Sequence, residues 1–258
     1  MQRVAVIALN TFREAVRDRV LYNLIVFALL LMGTAVLFGQ ISIQIEELIV
    51  VNLGLTAMTF FGLAIAIFIG IGLVYKEMDK RTLYVLFAKP VRRSEFILAK
   101  FCGLGLTLFV NIALMTVGFY GALYYVKRSL AGPDTYLLVA IYFVFLELLL
   151  VTALALLFSS FSSPVLSAAF TLGLFIGGSL ADDIRELTRF VEIPWLGLVT
   201  NAVYYLVPNF RNFNVISSVA HGQPVPAALV WLNTAYAALY IGLVLAASAL
   251  ILQNRNLK

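Results

Sequence analysis

The residues with the capacity for chemistry are few, and each sits in a distinct context. Glu147 lies inside the run FVFLELLLVTALALL. An ionised carboxylate facing lipid at that depth costs roughly 2.5 kcal/mol or more, so the side chain must face the bundle, a cavity or a second copy. Two readings follow for it: a substrate or proton contact in a translocation path, or a protonated glutamate hydrogen-bonded to a neighbouring helix. Asp182 and Asp183 are adjacent carboxylates of the kind that hold a metal, but no His or Cys cluster accompanies them, and Arg185 and Arg189 follow at helical spacing. That spacing favours a helix start with charge pairs. His221 is the only histidine, in the turn-like AHGQPVP, and Met32, Met58 and Met115 are scattered over apolar runs. Soft metals need clustered ligands. An intramembrane enzyme needs Ser/His, paired Asp or metal ligands at membrane depth, and only Glu147 stands there. The sequence therefore predicts no catalytic residue, no metal site and no cofactor on this chain.

The densest charge is in the block KEMDKRTLYVLFAKPVRRSEFILAK, residues 76–100. Pro90 forbids a continuous helix and pushes Lys89 out of the helical region. The expectation is a short helix, a kink at Pro90 and a new helix after it. Glu77 and Arg81 stand four apart and support the first helix. Thr82, Leu83, Leu86 and Phe87 share one face of it. An apolar stripe framed by charge suits the groove of a soluble partner; a basic loop also anchors on anionic lipid headgroups.

The elements that position these residues are membrane spans. Of the 258 residues, 62% are apolar and 12% charged, against about 45–50% and about 25% in soluble domains. Lipid removes the cost of exposing that surface. Hydropathy marks spans at about Val20–Phe38, Ile49–Tyr75, Phe96–Val126, Thr135–Phe158, Val165–Leu180 and Ala227–Leu252. Gly132-Pro133 breaks the chain before the fourth, and SSFSSP at 159–164 allows only a tight turn before the fifth. Residues 1–19 read as an amphipathic helix in the interface, or as a charged extension of the first span. Ala5, Ala8, Leu9, Phe12, Ala15 and Val16 form its apolar side. No basic segment followed by an apolar run marks a cleavable signal peptide at the start. Residues 181–226 contain PWLGLVTNAVYYLVP, too short to span and read as re-entrant or interfacial. Gly173 and Gly177 form a G-x3-G spacing, a candidate contact with another helix or a second copy, and ordinary packing within the chain is the expected use.

Charge orients the chain. With both ends inside, thirteen of the eighteen Lys and Arg face the cytoplasm: the N-terminal arm, the 76–100 block and the tail. An even number of spans is then required. The net charge of +5 is explained by these loops and implies no nucleic-acid partner. The single cysteine, Cys102, permits no internal disulfide.

The spacing Glu77, Thr82, Leu86, Pro90, Arg93, with Lys89 before the proline and Lys100 further on, resembles the signature loop of ABC-2 type permeases, E-x4-T-x3-L-x2-K/R-P-x2-R, between the second and third spans. The layout is similar along nearly the whole chain: an interfacial elbow helix at 1–19, six spans, a cytoplasmic coupling loop at 76–95 and a broken extracellular segment at 181–226 before the last span. The resemblance implies an all-α transmembrane permease of the type V exporter-like kind, in one domain over 1–258, in the inner (plasma) membrane. It implies two copies of a separate ABC ATPase subunit that bind ATP and Mg, docked on Glu77, Arg81, Thr82, Leu86, Pro90 and Arg93. It also implies a second permease copy, as homodimer or related heterodimer. The chain has no G-x4-G-K-[ST] phosphate loop, as expected of a permease. A lipidic or amphipathic exported substrate is the expectation. A channel or secondary carrier would need polar residues along several spans or an inverted repeat, and neither is seen. A membrane scaffold that recruits a partner without transport would show the same loop.

Overall fold

The computed structural model describes residues 2–41, 45–79, 93–129, 132–188, 201, 204 and 207–254. Among them every regular element is helical. In chain order they are α1 (Gln2–Val16), α2 (Arg19–Ile41), α3 (Glu46–Asp79), α4 (Arg93–Lys127), a 3-10 turn (Gly132–Thr135), α5 (Tyr136–Ser159), α6 (Pro164–Ser179), α7 (Ala181–Thr188), a second 3-10 turn (Phe210–Phe213), α8 (Ile216–Ala220) and α9 (Ala227–Asn254). Five helices, α2, α3, α4, α5 and α9, are long and apolar enough to cross a membrane, and α6 is a shorter apolar helix. This is an all-α membrane protein.

The centre of the bundle is α5. Its apolar residues are spread evenly round the helix, the mark of one buried on all sides. Of the α5 span, 72% is inside the bundle, against 22% for α2 and 28% for α9. So α5 is the hub and the other two form the rim. Helices α3, α4, α6 and α9 all pack on it. The rim leaves Phe27, Leu30, Trp231, Leu239 and Leu243 exposed, which lipid tails cover at no cost.

Both ends of α5 are closed locally. At its start, Lys127 Nζ lies 2.7 Å from Asp134 and 2.6 Å from Glu47, joining the end of α4, the 3-10 turn and the start of α3. At its end, Ser160 Oγ donates to Leu157 O at 2.6 Å and Ser162 Oγ to Phe158 O at 2.9 Å. These hydroxyls add a second bond to carbonyls that the backbone N–H groups of Ser160 and Ser162 also reach in the last turn. Ser163 and Pro164 then open α6 with proline in the first turn, where its missing N–H costs nothing. The tight turn expected at 159–164 is therefore present.

The helices outrun the hydropathy. At 34 and 35 residues, α3 and α4 reach about 50 Å, beyond a core of about 30 Å. The backbone of α3 continues through Lys76, Glu77 and Met78 to Asp79. Glu77 thus rides on the end of a span, not on a separate short helix. Arg81, Thr82, Leu86 and Pro90, and with them the expected kink, lie outside the described residues.

Helix α1 packs on α4. Thr11 and Ala15 are buried, whereas Ala5 is exposed and Leu9 is 45% exposed. The reason is a close approach at Gly103 of α4. A Cβ there would stand 2.5 Å from the Ala8 carbonyl oxygen and 2.7 Å from Thr11 Cβ. The backbone contact fixes the rotation of α1 about its axis, so Thr11 faces inward and donates its hydroxyl to Ile7 O at 2.9 Å. Gly103→Ala is expected to unseat α1 and speed tryptic cleavage at the exposed Arg13 and Arg17. Gly121→Ala, where a Cβ meets nothing within 4 Å among the described residues, is expected to be neutral or stabilising by up to about 1 kcal/mol through helix propensity. Limited proteolysis in detergent compares the two.

Candidate functional site

The principal cavity among the described residues lies beside the hub, with a volume of about 400 Å³, within the range of small-molecule sites. Its deep wall is Glu147 and Val144 of α5, with Thr56 and Thr59 of α3 opposite. Phe175 and Ser179 of α6 form one side. The mouth is the segment after α7: Phe210, Arg211, Phe213 and Asn214, with Asp183 of α7. Glu147 is buried, at 8% exposure. Among the described residues no group lies within hydrogen-bond distance of its carboxylate. The carboxylate lines the cavity.

The mouth is held by a close backbone approach, two ring contacts and three hydrogen bonds. Gly178, near the end of α6, lets the chain pass against it: a Cβ there would collide with the Pro208 carbonyl oxygen and stand 2.8 Å from the Phe210 ring. The Phe210 ring stacks obliquely on Phe175 at 5.0 Å, and Phe213 meets Phe143 of α5 edge-on at 6.4 Å. Asn209 donates its backbone N–H to Tyr236 Oη at 2.9 Å and its side-chain amide to Asp182 at 3.2 Å. Asn233 Nδ2 donates to Asn212 O at 2.6 Å. These bonds tie an irregular segment to α7 and α9 and satisfy backbone that could not stand in lipid.

Asp182 and Asp183 do stand in the first turn of a helix, α7, as their spacing suggests. Their partners differ from those expected. Asp183 pairs with Arg211 and Asp182 accepts from Asn209. The carboxylate of Asp183 beside it raises the Arg211 guanidinium further above its ordinary range. Arg185 lies over the Tyr204 ring at 4.4 Å, and Arg189 is outside the described residues. Sequence reasoning missed Phe210 and Phe213. Their signal was NFRNFN, two aromatic residues three apart in a polar stretch.

A second junction lies at the other end of the bundle. Arg93, the first residue of α4, donates Nη1 to Leu252 O and, at 2.8 Å, to Gln253 O in the last turn of α9. A cation there meets both the free carbonyls and the negative end of the helix dipole. Of the six loop residues singled out by spacing, Arg93 alone has its side chain in the described structure, and it holds two helices together.

Two outcomes are expected. Glu147→Leu should raise the thermal stability of the unliganded protein by about 1–3 kcal/mol, because it removes an unsatisfied buried polar group; a melting curve in neutral detergent measures it. Arg93→Ala should speed amide exchange in the last two turns of α9 about tenfold, the loss of roughly 1.4 kcal/mol from a charged hydrogen bond; hydrogen-exchange mass spectrometry reads it.

Among the described residues no three His, Cys, Asp or Glu side chains converge as a metal site. The family described as ABC-2 family transporter protein matches residues 5–257. No curated protein matches the chain.

Proposed function

The chain belongs to the ABC-2 family of transporter proteins, and on that premise we propose that it is the permease of an ATP-driven exporter for lipidic or amphipathic substrates. The observation that carries this reading is the family match along almost the entire chain, joined to the Glu77–Arg93 spacing at the junction of α3 and α4. In this reading α6 is the sixth crossing. At 16 residues it is about 24 Å long, a shortfall that local bilayer thinning accommodates. Helix α1 is the interfacial elbow, and both chain ends lie in the cytoplasm with thirteen of eighteen basic residues. The cavity mouth at Asp183 and Arg211 then faces outward.

Two ABC ATPase subunits dock on the 76–95 loop, through Glu77, Arg81, Thr82, Leu86 and Pro90. They bind ATP and Mg; this chain is not itself an enzyme. The continuity of α3 into Glu77 supports a lever role, because a helix transmits displacement along its axis without bending at the membrane surface. Arg93 passes the same motion to α9 through its bonds to the last turn.

A second permease copy completes the pathway. Gly173 and Gly177 support its placement on α6. Against the expectation of ordinary internal packing, neither has a neighbour within 4 Å of a built Cβ among the described residues. Val165, Leu166, Phe170 and Ile176 of the same helix are exposed. Close backbone approach of a helix from another copy suits that surface.

The decisive measurement is transport into inside-out vesicles carrying the permease and its ATPase. Glu77→Gln or Pro90→Ala should abolish ATP-dependent uptake with the protein still in the membrane. No dependence of transport on ATP in the wild type would sink the permease reading. For the second copy, Gly177→Cys in a Cys102→Ala background should cross-link between chains with a short bifunctional thiol reagent, and a monomer-only product would overturn it.

A further inference from the structure

We propose that the cavity over Glu147 is a binding site for an organic ammonium group. The inference deepens the permease reading, and its identification with a transported substrate rests on that reading; the binding itself does not.

The charge of the cavity wall is set by two carboxylates, Glu147 in its depth and Asp183 at its mouth. Glu147 supplies a carboxylate, buried and without a partner among the described residues. Two of the three lining hydroxyls have already spent their protons. Thr59 Oγ1 donates to Leu55 O at 3.1 Å and Ser179 Oγ to Phe175 O at 2.7 Å. What these side chains turn toward the cavity is lone pairs. The lining cation, Arg211, is at the exposed mouth and engaged by Asp183. An anion entering would meet a carboxylate and hydroxyl oxygens. A cation would meet the counter-charge that a buried carboxylate otherwise lacks.

The apolar part of the lining favours an organic cation over a metal ion. Phe175, Phe210 and Phe213 wall the cavity, and their rings are held by contacts with one another and with the hub. Aromatic faces attract an alkylated ammonium through the ring quadrupole, worth more where water is excluded. A divalent ion needs six or more oxygen ligands or a set of nitrogen and sulfur ligands. Glu147 and the hydroxyls, with an Asp183 already engaged by Arg211, do not supply them. The volume of about 400 Å³ exceeds what a bare ion fills and suits a headgroup with its methyl or methylene substituents.

The test uses the whole permease, purified in dodecyl maltoside, whose headgroup is uncharged. Isothermal titration with hexyltrimethylammonium is expected to show saturable binding at one site per chain. Hexyl sulfate should not compete. Glu147→Gln should weaken binding at least tenfold while its melting temperature stays at or above that of the wild type. Equal affinity in the variant, or competition by hexyl sulfate at matching concentration, would overturn the proposal. Tetramethylammonium distinguishes the sources of the group. Binding as tight as that of the hexyl compound assigns the site to a free cation, and weaker binding to the headgroup of an amphiphile; both retain the site. The two readings fail separately. Loss of ATP coupling in vesicles with binding intact removes the permease role alone. Absence of binding with coupling intact removes the ammonium site alone.

Discussion

The structure depends on one helix that has no polar side to turn outward. With apolar residues all round, α5 is stable only if every face is covered, and the other helices are arranged to cover it. Lipid tails could do the same in principle. Protein packing does it at higher density and fixes relative positions, which lipid cannot. One consequence is that α5 contributes no freedom to the assembly: it is capped by hydroxyls at one end and by the Lys127 charge network at the other. The elements around it, α2, α6 and α9, keep an outer face in lipid and are the ones with room to move.

Against that fixed hub, placing Glu147 at mid-helix is a local conflict. Every neighbour in the sequence argues for an apolar residue there. Among the described residues no bond relieves the conflict, and space is left next to it. Departures of this kind concentrate at functional sites, where stability is given up for a task. The cavity is also closed by a segment with little regular structure, held by Asn209, Asn233 and a close approach at Gly178. A deep acceptor wall of rigid helix and a mouth of pinned loop is a division suited to admitting a ligand without disturbing the hub.

Much of this was legible in the residues, for definable reasons. Hydropathy located the apolar helices because burial in lipid is a property of composition over some twenty residues. The Gly132-Pro133 break and the serine-rich turn were legible because turn chemistry is local. What escaped was non-local. The rotation of α1 had no local signal because it is set by a backbone contact at Gly103, ninety-odd residues away in the chain. The partners of the two aspartates were misjudged because helical spacing offers Arg185 to Asp182, whereas the folded chain brings Arg211 back to Asp183 from 28 residues further on. Gly173 and Gly177 read as internal packing because spacing alone does not say which side of α6 faces its own chain. The cavity had no linear signature at all, since its walls come from six elements.

The bonds from Arg93 to the last turn of α9 have a practical corollary. They set the exit point of the chain beyond α9 next to the first residue of α4. Whatever polypeptide continues from there, natural extension or engineered fusion, begins its path at the edge of the 80–92 segment. A bulky reporter attached at that end would compete for space with any protein that approaches this segment. One attached before α1 would start from a helix seated against α4 at Gly103. The choice of terminus for tagging is therefore a steric variable of the assembly.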